Sequence, residues 1–267
     1  MTTPRENHPV LSVQNLTIGI PSSRGFASVV EKIHFSLESG SILGIAGESG
    51  SGKTLTACAI AGLLPAPLAI GRGRVLFAGR PAFHPGNGSP AFVRGKDVLL
   101  LFQSPGSALD PGVRAGIQIQ DALTACLGCP RKTARQKAFQ AMAQVGLDDS
   151  LFGRYPFQLS GGQRQRVLMA MAFALAPRVL IADEPTAGQD AASRDHLLML
   201  LTRLANENRT AIILISHDLR ILSRTVDGMA VFHRGRQVES GPVKQLFTRP
   251  AHPHTQELIQ AMQFLES

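Results

Sequence analysis

Ser41-Ile42-Leu43-Gly44-Ile45-Ala46-Gly47-Glu48-Ser49-Gly50-Ser51-Gly52-Lys53-Thr54 is the stretch on which the reading of the chain turns. Its first half is a short apolar run ending in glycine, the pattern of a strand buried on both faces of a parallel sheet. Its second half, Gly47 to Thr54, fits G-x-x-x-x-G-K-[ST] without a mismatch. The glycines let the backbone wrap so that successive N–H groups converge on phosphate oxygens, and the N-terminus of a following helix adds partial positive charge. In such a loop Lys53 is placed to reach the β- and γ-phosphates of a nucleotide, and the Thr54 hydroxyl to ligate Mg²⁺. The segment that follows, KTLTACAIAGLL (53–64), is apolar all round and predicts a buried helix ended by Pro65.

Ahead of this stretch, LSVQNLTIGI (11–20) alternates, PSSRG (21–25) reads as a turn, and VVEKIHFSL (29–37) alternates again. Residues 79–97, rich in Gly, Pro, Asn and Ser, read as a loop. From about Pro111 to Arg154 the pattern is helical and strand signals vanish, which predicts an inserted helical subdomain. QRQRVLMAMAFALA (163–176) reads as a helix, RVLIAD (178–183) as a second buried strand, HLLMLLTRLANE (196–207) as an amphipathic helix and TAIILIS (210–216) as a third buried strand. Beyond about Gly241 come prolines and then a helix, ELIQAMQFLE (257–266). Buried strands alternating with helices predict an α/β fold, with a parallel sheet covered on both faces.

At 267 residues, with 44% apolar and 17% charged, the chain suits one large domain or a core with a smaller subdomain. No window approaches the roughly 18 uninterrupted apolar residues of a membrane-spanning helix. The first residues, MTTPRENHPV, lack the apolar core of a secretory signal, so the chain is expected to be soluble and to stay where it is made. Three cysteines, Cys58, Cys126 and Cys129, make no disulfide framework, and a lone CxxC without a second pair or a nearby histidine does not point to a metal. The 27 Lys and Arg against 19 Asp and Glu give a net charge of +8, which favours nucleotide, nucleic acid or the inner face of a membrane. The basic residues are scattered, and one Tyr with no Trp leaves little to stack on bases, so no nucleic-acid partner is expected.

Two further motifs carry chemistry. In RVLIADEP, four apolar residues bring Asp183 to the end of a buried strand, the edge where ligands bind in such sheets. There Asp183 would hold Mg²⁺, directly or through water, and Glu184 would orient and polarise an attacking water. In Leu159-Ser160-Gly161-Gly162-Gln163, Ser160 is a good N-cap and the bare glycines leave N–H groups open to a phosphate.

LSGGQ placed before a strand that ends in Asp-Glu, behind a P-loop, resembles the signature of the ABC ATPases, and the resemblance runs from Leu11 to the tail. It implies a P-loop NTPase of the ABC nucleotide-binding type, with a parallel core sheet, an N-terminal antiparallel β subdomain and the inserted helical subdomain. The implied boundaries are about 11–100 and 178–240 for a RecA-like core with the β subdomain, about 104–177 for the helical subdomain with the signature, and about 241–267 for a C-terminal tail. It implies that Ser160, Gly161, Gly162 and Gln163 of one subunit cap the γ-phosphate of ATP held on the P-loop of another. Gln103, in LLLFQSP, resembles the Q-loop glutamine that contacts Mg²⁺ or the water and relays nucleotide state to a membrane partner. His217 resembles the switch histidine on the γ-phosphate, and Asp190 the D-loop aspartate at the dimer interface. Two positions depart from the family pattern. The D-loop reads Ala187-Gly188-Gln189-Asp190, where a Ser- or Thr-Ala-Leu-Asp run is usual. Ile20 stands where an aromatic ring usually stacks on adenine; either Phe26 supplies the ring or an apolar contact replaces it.

LFQSPGSALDP, YPFQLSGGQRQRV, GESGSGKT and the tail RPAHPHTQELIQA are similar to the peptide and nickel importers of this family. The implied function is an ATP-hydrolysing subunit, with ATP and Mg²⁺, that energises import of nickel, a metal chelate or short peptides from the cytoplasmic face of the membrane. The absence of any cysteine after Cys129 and the short tail lean toward nickel or metal chelates; His252 and His254 are read as part of the tail, not as nickel ligands. Implied partners are two membrane permease subunits, a second, similar ATPase (a heterodimer in preference to a homodimer) and, indirectly, an extracytoplasmic substrate-binding protein. The rival reading is an ATPase-like subunit of a soluble assembly such as a phosphonate-cleaving complex.

Overall fold

The computed structural model describes residues 9–23, 25–83, 90–101 and 108–264. In chain order the first elements are β1 (Leu11–Ser22), β2 (Gly25–Leu37), β3 (Ile42–Gly47), α1 (Lys53–Ile60), β4 (Ala69–Phe77), β5 (Arg80–Pro81) and β6 (Val98–Leu101). Then follow α2 (Ala115–Leu127), α3 (Arg131–Gln144), α4 (Gly161–Leu175), β7 (Val179–Asp183), α5 (Ala191–Asn208) and β8 (Ala211–Ile215). The last are α6 (Leu219–Thr225), β9 (Gly228–His233), β10 (Arg236–Pro242), α7 (Val243–Thr248) and α8 (Pro253–Phe264). They divide into two compact units, Met1–Phe92 with His217–Ser267, and Val93–Ser216.

In the first unit the strands lie in the order β5-β4-β1-β2-β10-β9-β3. β1, β2, β4 and β5 pair antiparallel, while β3 runs parallel to β9, with Gly47 beside Phe232. The alternation of β1 changes phase midway: Leu11 and Val13 are buried, and then Leu16 and Ile18. A bulge between Val13 and Leu16, with Asn15 at φ 50°, inserts the extra residue that keeps both pairs on one face. The partner across it is Gly73, where a Cβ would lie 2.3 Å from the Asn15 carbonyl oxygen, so only glycine fits the pinch. β3 carries Ile45 and Ala46 into the core with no exposure at all.

Helix α1 is shorter than the sequence predicts. It stops at Ile60 because Gly62 turns left-handed (φ 66°) and the Leu63 N–H reaches back to the Cys58 carbonyl at 2.8 Å, ending the helix before Pro65 is reached. Strands also form where the sequence announces none, before and at the start of the stretch that reads as loop: β4 and β5 are built from Gly- and Arg-rich sequence whose partners, not its own hydrophobicity, make it sheet. The tail forms the short helix α7 and then α8, with Ile259 buried.

In the second unit β6, β7 and β8 are parallel, and every residue of β7 and β8 is buried. Helices α2, α3 and α4 close on one another through Ile119, Leu123, Ala138, Met142 and Val167. Phe139 and Phe152 stack at 4.2 Å beneath the Arg135 guanidinium. Gly116 lets that ring approach: a Cβ there would sit 2.2 Å from Phe152. Among the described residues no helix is long and apolar enough to cross a membrane.

Candidate functional site

In the first unit, β3 delivers the chain into the loop Gly47–Gly52, and α1 begins at Lys53. Gly47, Gly50 and Gly52 all take positive φ (145°, 79° and 101°), the curvature that turns backbone N–H groups to one side. Gly47 allows no replacement, because a Cβ would meet the Phe232 carbonyl oxygen at 2.2 Å; at Gly50 a Cβ would meet nothing. Lys53 is almost wholly buried, and its ammonium donates to the carbonyls of Gly47 and Glu48, each at 2.8 Å, which draws the cation along the loop. Ser51 Oγ is buried with no hydrogen-bond partner among the described residues, a polar atom inside a loop built for an anion. Thr54 is exposed at the helix start. A loop of convergent donors closed by a lysine fits a nucleotide phosphate chain.

Ile20 and Phe26 lie at the open end of β1 and β2. Ile20 pairs with Ala27 and shares a face with Ile18 and Val30, and Val30 touches the position a Gly52 side chain would occupy. Phe26 pairs with Pro21 on the opposite face, where its ring covers Gly19 and Gly71. The two cannot serve one ligand, and the face next to the phosphate loop is that of Ile20, which is 38% exposed. His217, also of this unit, is exposed, and Asp218 beside it caps α6 by accepting from the Arg220 N–H at 3.0 Å.

In the second unit Asp183 ends β7 and is 4% exposed. Glu184 follows at φ 48°, a left-handed conformation that costs a non-glycine residue about 1 kcal/mol. The Ile215 carbonyl, accepting from the Glu184 N–H at 3.0 Å, and the rigid Pro185 hold it there. Glu184 is thereby fixed at the strand end, next to the buried Asp183. Ser160 caps α4 in a capping box: its Oγ accepts from the Gln163 N–H at 3.2 Å, and Gln163 Oε1 accepts from the Ser160 N–H at 2.9 Å. Asp190 caps α5, accepting from the Ser193 N–H (2.9 Å) and hydroxyl (2.7 Å), bonds that hold its carboxyl below its ordinary pKa.

Gly161, Gly162 and Asp190 border one open cavity of about 280 Å³, so the signature and the D-loop, remote in sequence, meet. A contact that the sequence reading missed joins them: Gln165 and Gln189 both donate to the Pro185 carbonyl, and Gln189 also donates to Gln165. Gln189 is one of the three residues, Ala187, Gly188 and Gln189, that depart from the family's D-loop, and that departure was the available signal. Gln103 lies outside the described residues.

Fold and loop together define a P-loop nucleoside triphosphatase of α/β architecture. Residues 30–187 match the family described as ABC transporter. The oligopeptide transport ATP-binding protein OppD of Haemophilus influenzae is 36% identical over 261 residues, 97% of this chain and 80% of that protein. The probable D,D-dipeptide transport ATP-binding protein DdpD of Escherichia coli is 36% identical over 255 residues, 94% of this chain and 78% of that protein. Among solved structures, a dimeric ATP-binding cassette in a post-hydrolysis state with ADP and Pi superposes with a TM-score of 0.75 at 21% identity, covering 87% of this chain and 98% of its own. CbiO1 of Clostridium perfringens, part of the ABC transporter complex CbiONQ, gives 0.76 at 24%, covering 97% of this chain and all of its own. The chain belongs to the ABC transporter family, as an ATP-binding subunit whose enzymatic activity is ATP hydrolysis coupled to transport.

Proposed function

We propose that the chain is one of two ATPase subunits of an importer of short peptides, seated against two permease subunits on the cytoplasmic face of the membrane. The observation that carries the reading is the intact phosphate loop, with Lys53 buried along it, in a chain whose relatives are named for oligopeptide and dipeptide transport. Those names favour a peptide cargo over the nickel or metal chelate suggested by the short tail.

In this reading Gly47 to Thr54 hold the phosphates of ATP, and Lys53 exchanges its backbone carbonyls for β- and γ-phosphate oxygens. Ile20 offers an aliphatic contact to the base in place of a ring. The Thr54 hydroxyl and the Asp183 carboxylate, with Gln103, are hard oxygen donors of the kind Mg²⁺ takes, and the ion would neutralise charge on the β- and γ-phosphates. Glu184 accepts a proton from the attacking water, and His217 donates to the γ-phosphate. Ser160, Gly161, Gly162 and Gln163 meet the γ-phosphate of the partner's nucleotide, with Asp190 at the same interface. ATP thus bridges two subunits and hydrolysis releases them, which moves the permeases. A heterodimer with a similar ATPase is the favoured pairing.

The test is a pull-down of the tagged chain from detergent-solubilised membranes. Two permeases and a second ATPase are expected, together with stimulation of the reconstituted complex by short peptides and a peptide-binding protein. A soluble complex without any membrane protein would overturn the importer reading, and stimulation by nickel instead would overturn the cargo.

A further inference from the structure

The phosphate loop is framed from outside by the hairpin of β9 and β10. The hairpin turn, Arg234–Gly235, has both residues at positive φ (47° and 77°), the geometry of a tight two-residue connection. The Gly235 N–H donates to the Ser51 carbonyl at 3.2 Å, and the Glu31 N–H donates to the Gly235 carbonyl at 2.7 Å. Two residues before the turn, the Phe232 carbonyl fills the space behind Gly47. The hairpin therefore touches the loop at its entry and again ahead of Lys53. His233 lies between these two contacts.

The ring of His233 packs on that of His254, with centroids 3.8 Å apart. His254 stands in the first turn of α8 and is 5% exposed. The segment that leads into α8 is fastened to the same hairpin by Glu239 of β10, whose carboxylate accepts from the Ala251 and His252 N–H groups at 2.8 and 3.1 Å. Among the described residues, His233 Nδ1 and His254 Nε2 are buried without hydrogen-bond partners. The contact between the two rings, not a hydrogen bond at these nitrogens, is what joins the residues.

We propose that His254 is a positioning residue for nucleotide binding, acting through His233 and the β9–β10 turn to hold the curvature of the phosphate loop, so that the seat of α8 sets ATP affinity. The proposal rests on Gly47 to Thr54 being the nucleotide site. With α8 seated, the hairpin tip is held and the loop keeps its N–H groups convergent before ATP arrives. With α8 displaced, ordering the loop falls to the nucleotide, and affinity drops. A partner that grips the C-terminal helix gains a handle on the ATP site without touching it.

The experiment titrates the full-length chain with a non-hydrolysable ATP analogue and Mg²⁺, and follows turnover in the assembled complex, for wild type, His254→Ala, His254→Phe, Glu239→Gln and Lys53→Ala. His254→Ala and Glu239→Gln are expected to weaken nucleotide binding by about fivefold or more. In turnover they raise KM and leave kcat within about twofold. His254→Phe keeps a ring against His233 and restores affinity. Wild-type affinity in His254→Ala, alongside faster amide exchange in α8, overturns the proposal; so does failure of His254→Phe to rescue. If His254→Ala does not fold, Glu239→Gln carries the same comparison. Lys53→Ala separates the two levels: normal binding there sinks the nucleotide site itself, whereas loss there with no effect at His254 sinks only the coupling.

Discussion

Ser160→Asp separates the helix-cap role of Ser160 from the role proposed for it at the partner's nucleotide. As an N-cap, Ser160 accepts from the Gln163 N–H and belongs to a two-way capping box at the start of α4. Ser160→Ala removes that acceptor at a cost of about 1 kcal/mol, or roughly 2–4 °C in Tm for a domain of this size. Aspartate caps as well as serine, and its charge suits a helix N-terminus, so Ser160→Asp is expected to melt at or above the wild-type temperature. Its effect on function is the opposite. A carboxylate about 4 Å from a phosphate oxygen, in surroundings of effective dielectric near 20, repels it by about 4 kcal/mol. That corresponds to about a thousandfold in the population of the closed, ATP-bridged dimer. The assay pairs thermal melting of the chain with ATPase turnover of the assembled complex. A stable Ser160→Asp protein with wild-type turnover would refute the reasoning and leave Ser160 as a helix cap alone.

Gly116→Ala drives a methyl into the face of Phe152 and is expected to cost about 1–3 kcal/mol by overpacking, read as a lower denaturation midpoint with nucleotide binding unchanged. Burial, the nearby His254 and Arg234 hold His233 below its ordinary pKa, with Glu48 opposing them and His252 adding to the depression. The folded chain then takes up that proton less readily than the unfolded chain, so stability is full above the ordinary histidine value and falls as the pH drops through it. Burial alone would raise Glu239, but hydrogen bonds from the Ala251 N–H, the Thr255 side chain and the His252 N–H hold it below its ordinary pKa, so it keeps its charge in this range. Removing the titrating ring in His233→Phe should flatten the decline in melting temperature between about pH 7 and pH 5; an unchanged slope would assign the decline elsewhere.

Much of the fold was legible because its deciding segments carry their own signal. The apolar runs ahead of Gly47, Asp183 and Ser216 are too short for buried helices and read as buried strands, and each is one. The loop from Gly47 to Gly52 could be placed from residue types alone, since its glycines are needed at positive φ. What escaped was set by partners distant in the chain. Strand β4, AIGRGRVLF, has glycines and exposed arginines and becomes sheet only because β1 supplies a ladder to pair with. The opposite faces of Ile20 and Phe26 follow from a register shift at the end of β1, which no alternation in the sequence announces. The left-handed Glu184 and the Gln165–Gln189 contact depend on where a backbone carbonyl, that of Ile215 or Pro185, comes to rest. The tilted ring contact of His254 with His233 joins residues that only the folded hairpin brings together.

The most direct test of the account is Glu184→Gln in the assembled complex, with bound ATP and turnover measured on the same preparation. The account predicts that ATP binds as in wild type, that the ATP-bridged dimer accumulates, and that turnover falls by about 100-fold or more with the loss of the base. Turnover at the wild-type rate would contradict it, removing Glu184 from the chemistry and with it the reading of the strained residue at the end of β7.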